Sequence, residues 1–337
     1  MRRSFIAVLA AGALTLSACG GNTDSGSEES PAAEATTSAA EATEAAPASV
    51  EVEDNNGKYT IAVPPKSVVA TDNRTFETLA DWGVELKAAS VSLMPETISY
   101  KTDASIIDLG NHREPDLEAV VAVEPDLIIN GQRFSQYHDD FVSLAPNATV
   151  LELDPREGEP FDSELKRQVA VLGEVFGKQA EAKKLGEDLD AAIARVKAAY
   201  KSEDTVMAVI TSGGEIGYVV PGTGRTLGPV FDFAGLTPAL EVAGSDDHQG
   251  DDISVEAIAD SNPNWILVMD RDAAVSADDP SYKPANEILE SSEALANVPA
   301  VQNSQIIYMP ADTYTNEGIQ TYIEFLNTFA DALEKAK

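Results

Sequence analysis

From Tyr59 to the C terminus, short apolar runs alternate with segments whose apolar residues recur every three or four positions. The runs Tyr59 to Val63, Ser67 to Thr71, Ser105 to Leu109, Asp126 to Asn130, Thr205 to Thr211, Asn264 to Met269 and Gln305 to Met309 are β-rich and predict strands. Phe76 to Trp82, Asp116 to Val123, Gln136 to Leu144, Leu227 to Phe233, Ser254 to Asp260 and Asn316 to Leu333 carry the helical period. Such alternation builds α/β lobes around mostly parallel sheets. Residues 161 to 200 break the rhythm: Phe161, Leu165, Val169, Leu172 and Phe176, then Leu185, Leu189, Ile193 and Val196, keep helical spacing throughout. Gly177 divides this stretch into two helices, and the second, Lys178 to Tyr200, would span about 33 Å, a stiff strut between two lobes.

An internal echo argues that the lobes share one design. Leu117-Glu118-Ala119-Val120 followed by Pro125-Asp126-Leu127-Ile128-Ile129 is matched by Val255-Glu256-Ala257-Ile258 followed by Pro263-Asn264-Trp265-Ile266-Leu267. Arg74-Thr75-Phe76 leading to Trp82-Gly83-Val84 is likewise matched by Arg225-Thr226-Leu227 leading to Ala234-Gly235-Leu236. In each case glycine closes a helix before a strand. The domain plan is therefore an N-terminal lobe over 58–176, a connecting helix over 177–200 and a C-terminal lobe over 201–337.

The first 57 residues follow other rules. Met1-Arg2-Arg3-Ser4, an apolar run from Phe5 to Leu16 and then Leu16-Ser17-Ala18-Cys19 form a lipoprotein leader over 1–18. About 12 apolar residues cannot cross a bilayer that needs roughly 20. Cys19, the sole cysteine, becomes the lipid-bearing first mature residue, which excludes a disulfide. An ordinary leader with a chance cysteine is the competing reading. Residues 19–57, poor in apolar side chains, form an acidic disordered tether.

Charge narrows the partners. The formal net charge is −34, and without the tether and the two leader arginines residues 58–337 hold 21 basic against 48 acidic side chains, a net of −27. Such a body repels nucleic acid and anionic lipid. An anion site must therefore gather its own cations from the eight arginines of residues 58–337. Arg133, Arg225 and Arg271 each follow a predicted strand, where open α/β sheets bind ligands. Guanidinium is planar and always charged, so it pairs with anionic oxygens and stacks on aromatic rings. A structural pairing of Arg271 with Asp270 or Asp272 is the alternative. No Gly-x-Ser-x-Gly elbow or phosphate-loop lysine follows the glycine pairs, and the three histidines lack metal-site spacing, so neither an enzyme nor a bare zinc or manganese site is indicated.

Glu114-Pro115-Asp116-Leu117-Glu118-Ala119, Glu124-Pro125-Asp126-Leu127-Ile128-Ile129, Pro221-Gly222-Thr223-Gly224-Arg225 and Met269-Asp270-Arg271-Asp272-Ala273-Ala274 resemble the substrate-binding lipoproteins of iron-siderophore ABC importers, in their catecholate branch. The resemblance covers the mature body. It implies a two-lobed α/β fold of the class III periplasmic-binding-protein type, with parallel-sheet lobes joined by one long backbone helix. It also implies a non-enzymatic monomer, lipid-anchored outside the cell membrane, with no intrinsic cofactor. Such a protein passes a ferric siderophore to an ABC permease and its ATPase. A hydroxamate siderophore, haem or a corrinoid on the same architecture, and less so a secreted hydrolase, are the alternatives.

Residue by residue, the resemblance assigns the ligand's charge to Arg133, Arg225 and Arg271, although here Gln132 intervenes between Gly131 and Arg133. It assigns open iron positions to His248 and Tyr314, and permease docking to Glu118 and Glu256. Tyr100 is a candidate for the cleft wall. The competing readings are a solvated His248, a core Tyr100, and helix-end carboxylates at Glu118 and Glu256.

Overall fold

The computed structural model describes residues 48–336. The leader, Cys19 and the tether as far as residue 47 lie outside the described residues. Strands β1 (Ser49–Glu53) and β2 (Lys58–Ala62) form an antiparallel hairpin. This corrects the tether boundary, because residues 49–53 pair as a strand. Their acidity hid it, yet Ser-Val-Glu-Val-Glu alternates with period two, and Val52 is the side chain that turns into the core.

The N-terminal lobe contains β3 (Val68–Ala70), α1 (Phe76–Asp81), β4 (Ala88–Ala89), β5 (Ile107–Asp108), α2 (Leu117–Ala122), β6 (Leu127–Asn130), α3 (His138–Leu144) and β7 (Thr149–Glu152). Its sheet is parallel throughout, in the order β5-β4-β3-β6-β7. Helices α4 (Phe161–Phe176) and α5 (Gln179–Ala199) follow, separated at Gly177, whose left-handed backbone (φ 65°) ends α4.

The C-terminal lobe contains β8 (Val206–Ser212), β9 (Glu215–Tyr218), α6 (Gly228–Ala234), β10 (Asp251–Asp252), α7 (Val255–Ser261), β11 (Trp265–Asp270), α8 (Arg271–Val275), α9 (Ala285–Glu290), α10 (Pro299–Gln302) and β12 (Ile306–Tyr308). Its sheet runs β10-β9-β8-β11-β12. Strands β8, β11 and β12 are parallel, whereas β9 returns antiparallel to β8 through Gly213 and Gly214, both at positive φ. A two-residue turn of that geometry matches strand twist and turns the chain back on itself where the other lobe uses a helix. Helix α11 (Ile319–Lys335) closes the chain against α4 and α5. Among the described residues no helix is long and apolar enough to cross a membrane.

The central strands read as unbroken apolar runs because both faces are covered: Leu127, Ile128 and Ile129 in β6, and Ile266, Leu267, Val268 and Met269 in β11, are fully buried. The internal echo is physical. Glu124 and Asn262 take left-handed backbones (φ 44° and 50°) just before Pro125 and Pro263. Next, the Asp126 and Leu127 amides donate to Ser67 O, and the Asn264 and Trp265 amides to Thr205 O. Asp126 also accepts from the Ser67 amide and Asn264 from the Thr205 amide, at 2.9 and 2.8 Å. One side chain in each lobe thus pins the start of the neighbouring strand.

A buried carboxylate fastens the hairpin to α4. Glu164, 2 % exposed, accepts from Arg156 at 2.7 and 3.0 Å and from Arg167 at 2.9 Å, and Arg167 reaches on to Asn55 at 2.8 Å. Burial alone would raise this carboxyl, but the bonds from Arg156 and Arg167 outweigh it and hold it at about 2. Its contribution is therefore present above the unfolded value near 4.5 and lost as pH falls from there toward 2. Glu164→Gln is expected to remove up to about 3 kcal/mol at pH 6 and to flatten stability between pH 5 and about 2. Urea titrations across that range measure it; an unchanged slope refutes the assignment.

Candidate functional site

The three arginines singled out by sequence meet. Arg133 lies in the 3-10 turn after β6, Arg225 between β9 and α6, and Arg271 opens α8 directly after β11. Their guanidinium carbons stand 4.7, 4.9 and 4.8 Å from the centroid of one ring, that of Tyr314. Tyr314 is 4 % exposed and sits in the 3-10 turn Thr313–Thr315 between β12 and α11. Cations from both lobes therefore share one aromatic ring at cation–π distance, where the ring quadrupole offsets part of their repulsion.

Local structure fixes each of them. Gln132 adopts a left-handed backbone (φ 52°), and its amide donates to both Asp154 oxygens at 2.9 Å while Ser135 donates to the same carboxylate at 2.7 Å. The intervening residue thus nails the turn that presents Arg133. Asp270 caps α8 by accepting from the Ala273 amide at 3.0 Å, and so aims Arg271 from the strand end. Asn73, Leu93, Phe134 and Thr315 line the recess beside Arg133 and Tyr314. Asn73 Oδ1, Arg133 Nη2, Thr211 Oγ1 and Arg271 Nε are buried without a hydrogen-bond partner among the described residues, a concentration of unused polar capacity near the strand exits. A larger hollow of about 390 Å³ lies beside the hairpin, but its arginines, Arg156 and Arg167, are already committed to Glu164.

The charges are not equivalent. Arg225 donates through Nε and Nη2 to Glu317 Oε1, at 3.0 and 2.5 Å, and Thr226 adds a bond of 3.2 Å. The other Glu317 oxygen receives Gln132 Nε2 at 2.9 Å and faces Arg74 Nη2 at 3.6 Å. Burial opposes charge on Glu317, which is 2 % exposed, but Arg225 and Arg74 outweigh it and keep its carboxyl below the ordinary range. Arg271 pairs with Asp272 at 3.1 Å and reaches Ser212 at 3.3 Å. Arg133 has no carboxylate partner among the described residues; burial, with Arg225 nearby, pulls its guanidinium below its usual value, partly offset by Tyr314 and Glu317. Beneath this layer Asp72 is fully buried, and burial together with the Asp154 charge pushes it up to about 7. Gln168 donates to it at 2.9 Å.

The remaining candidates separate. Tyr100 fits the core reading: it is 6 % exposed, packs in the apolar cluster and donates its hydroxyl to Val84 O at 2.5 Å. His248 lies in the exposed loop before β10, 3.8 Å from Asp247 and half exposed. That loop still touches the site, because Gln249 Nε2 donates at 3.1 Å to the same Ser212 hydroxyl that Arg271 reaches. Among the described residues no group of histidine, cysteine, aspartate and glutamate forms a metal cluster. Glu118 and Glu256 are exposed in the first turns of α2 and α7. The caps there are Asp116, accepting from Ala119, and Ser254, accepting from Ala257, which leaves both glutamates free of hydrogen bonds and ion pairs among the described residues. Sequence reading passed over Glu317, Gln132 and Arg74. The Arg-Thr echo held the signal for Arg74, since both echoed arginines address the same carboxylate.

A two-lobed α/β body with strand-exit cations converging between its sheets is the architecture of binding proteins that enclose a small ligand. The chain belongs to the Periplasmic binding protein family, matched over residues 68–313. It is 27 % identical over 287 residues to the petrobactin-binding protein YclQ of Bacillus subtilis, covering 84 % of this chain and 86 % of that protein. It is 29 % identical over 273 residues to the ferric-anguibactin-binding protein FatB of Vibrio anguillarum, covering 78 % and 80 %. In fold it is similar to the crystal structure of YclQ (TM-score 0.73, 24 % identity, 85 % of this chain and 99 % of that one). It is similar too to the catecholate-siderophore-binding VctP of Vibrio cholerae (TM-score 0.72, 22 % identity, 86 % and 100 %).

Proposed function

We propose that this chain is the extracytoplasmic binding component of an ABC importer, capturing a ferric siderophore of catecholate type in the cleft and delivering it to the permease and its ATPase. The observation that carries the reading is the convergence of Arg133, Arg225 and Arg271 within 5 Å of the Tyr314 ring, in a body whose charge is otherwise strongly negative. Guanidinium forks pair with catecholate oxygens and stack on catechol rings. The named cargoes of the relatives, petrobactin and ferric anguibactin, support the same class. A neutral ferric hydroxamate would gain little from these cations, and haem would call for an axial ligand in a more apolar cleft than one holding three arginines. No bond is made or broken; the iron complex is cargo. Where a chelator leaves iron positions open, the Tyr314 phenolate and the His248 imidazole are donors that hard Fe(III) accepts. Lipid on Cys19 would hold the monomer at the outer face of the membrane.

Titration calorimetry of the purified protein against a hexadentate ferric tris-catecholate and against ferrioxamine tests the cargo. Roughly nanomolar binding of the first, at least about 100-fold tighter than the second, is the expected result; equal affinities or a preference for ferrioxamine sink it. For docking, Glu118→Ala with Glu256→Ala is expected to abolish uptake of the bound complex into cells while leaving its dissociation constant unchanged, because both carboxylates are exposed and make no hydrogen bond or ion pair among the described residues. Parallel loss of affinity and uptake would refute that role.

A further inference from the structure

The charge the cleft presents is smaller than its arginine count suggests. Arg225 gives two donors to one oxygen of Glu317, Arg271 pairs with Asp272, and Arg74 divides its guanidinium between Asp154 at 3.0 Å and the second Glu317 oxygen at 3.6 Å. Only Arg133 among these four lacks a carboxylate partner in the described residues. Glu317 is unlike the other counter-ions. It lies in neither sheet but just before α11, it is 2 % exposed, and it joins Arg225 and Thr226 of the C-terminal lobe to Arg74 and Gln132 of the N-terminal lobe. A negative group so enclosed cannot be screened by solvent, so its field reaches whatever anion the arginines receive.

We propose that Glu317 is a specificity-determining positioning residue, which sets how much negative charge the cleft accepts by holding Arg225 partly neutralised from behind while fixing its direction. This deepens the siderophore reading and rests on it. Glu317 does not touch the cargo; it acts through Arg225. The chelates that the wild-type cleft accepts therefore extend to aromatic ferric complexes whose net charge is below the full −3 of a tris-catecholate. Removing the carboxylate charge while keeping its shape makes the cleft more cationic and shifts preference toward the trianion.

The test is Glu317→Gln, with the dissociation constant for ferric tris-catecholate measured at 50 and 500 mM salt beside the wild-type protein. The expected result is about 10-fold tighter binding at low salt together with a steeper salt dependence, since the extra cation acts through the field. A role confined to packing predicts weaker binding with an unchanged salt slope, and that result, or no change at all, overturns the proposal. If Glu317→Gln does not fold, Arg74→Gln with Glu317→Gln removes one charge of each sign. That pair is expected to return the trianion affinity to within about 3-fold of wild type, and a 10-fold or greater loss counts against charge control. Failure of the wild-type protein to bind any ferric catecholate defeats the siderophore reading instead, and this inference with it.

Discussion

Glu317→Ala is expected to cost about 3–5 kcal/mol of folding stability, the largest effect of any single substitution outside the apolar core. The reason is the company the carboxylate keeps. Arg225, its side chain 16 % exposed, would lose its carboxylate partner, Arg74, 15 % exposed, would keep only Asp154, and Gln132 and Thr226 would each lose an acceptor. An unpaired buried charge costs far more than the net contribution of the pair that it came from. Urea denaturation followed by circular dichroism measures the loss. A change below about 1 kcal/mol would mean that water already compensates those guanidiniums.

The second large effect concerns binding rather than stability. Arg133→Gln combined with Arg271→Gln is expected to weaken ferric tris-catecholate binding by roughly 10²- to 10⁴-fold, taking about 1.5–3 kcal/mol for each lost charge-assisted contact. Folding stability should change little, because Arg133 pairs with no carboxylate among the described residues and Arg271 pairs only with its sequence neighbour Asp272. Calorimetric titration with a urea melt on the same sample separates the two quantities. If affinity falls less than about 10-fold while the protein stays folded, the trio is a structural cluster and the cargo is bound elsewhere.

Much of this was legible in the order of residues. Most of the strands and helices follow the apolar periodicity, and the echo that implied two lobes of one design turns out to mark two strands entered through a left-handed residue and pinned by an Asp or Asn side chain. Arg133 and Arg271 follow the parallel strands β6 and β11 and so stand at the carboxyl edges of the two sheets. Arg225 instead follows β9, which runs antiparallel to β8, and reaches the cluster through the loop before α6, a placement that strand-exit reasoning did not supply. What stayed hidden depended on contacts remote in sequence. Glu317 looks like any acidic residue before a helix, and only the fold brings it to Arg74, 243 positions earlier. Tyr100 and Tyr314 are both tyrosines in 3-10 turns near strand ends; one donates its hydroxyl to Val84 and the other underlies three cations, a difference that no local pattern encodes. Strand β1 was lost to composition, because acidity was weighed above alternation.

The apolar interior has a bearing on how the protein moves and melts. One continuous cluster takes in Val52 of the hairpin with Phe76, Leu127 and Ile129 of the N-terminal lobe, passes through Leu165, Leu189 and Val196, and extends to Ala208, Trp265 and Phe329. The halves share this interior, and each adds a cluster of its own, around Val69, Ile128 and Phe141 in the N-terminal lobe and around Val209, Ile266 and Leu289 in the C-terminal lobe. They should lose structure in one cooperative event, and neither half would be expected to persist as an independent fragment. A shared interior of this kind resists separation of the lobes, so any opening for a ligand is expected at the rim of the cleft and not along the spine.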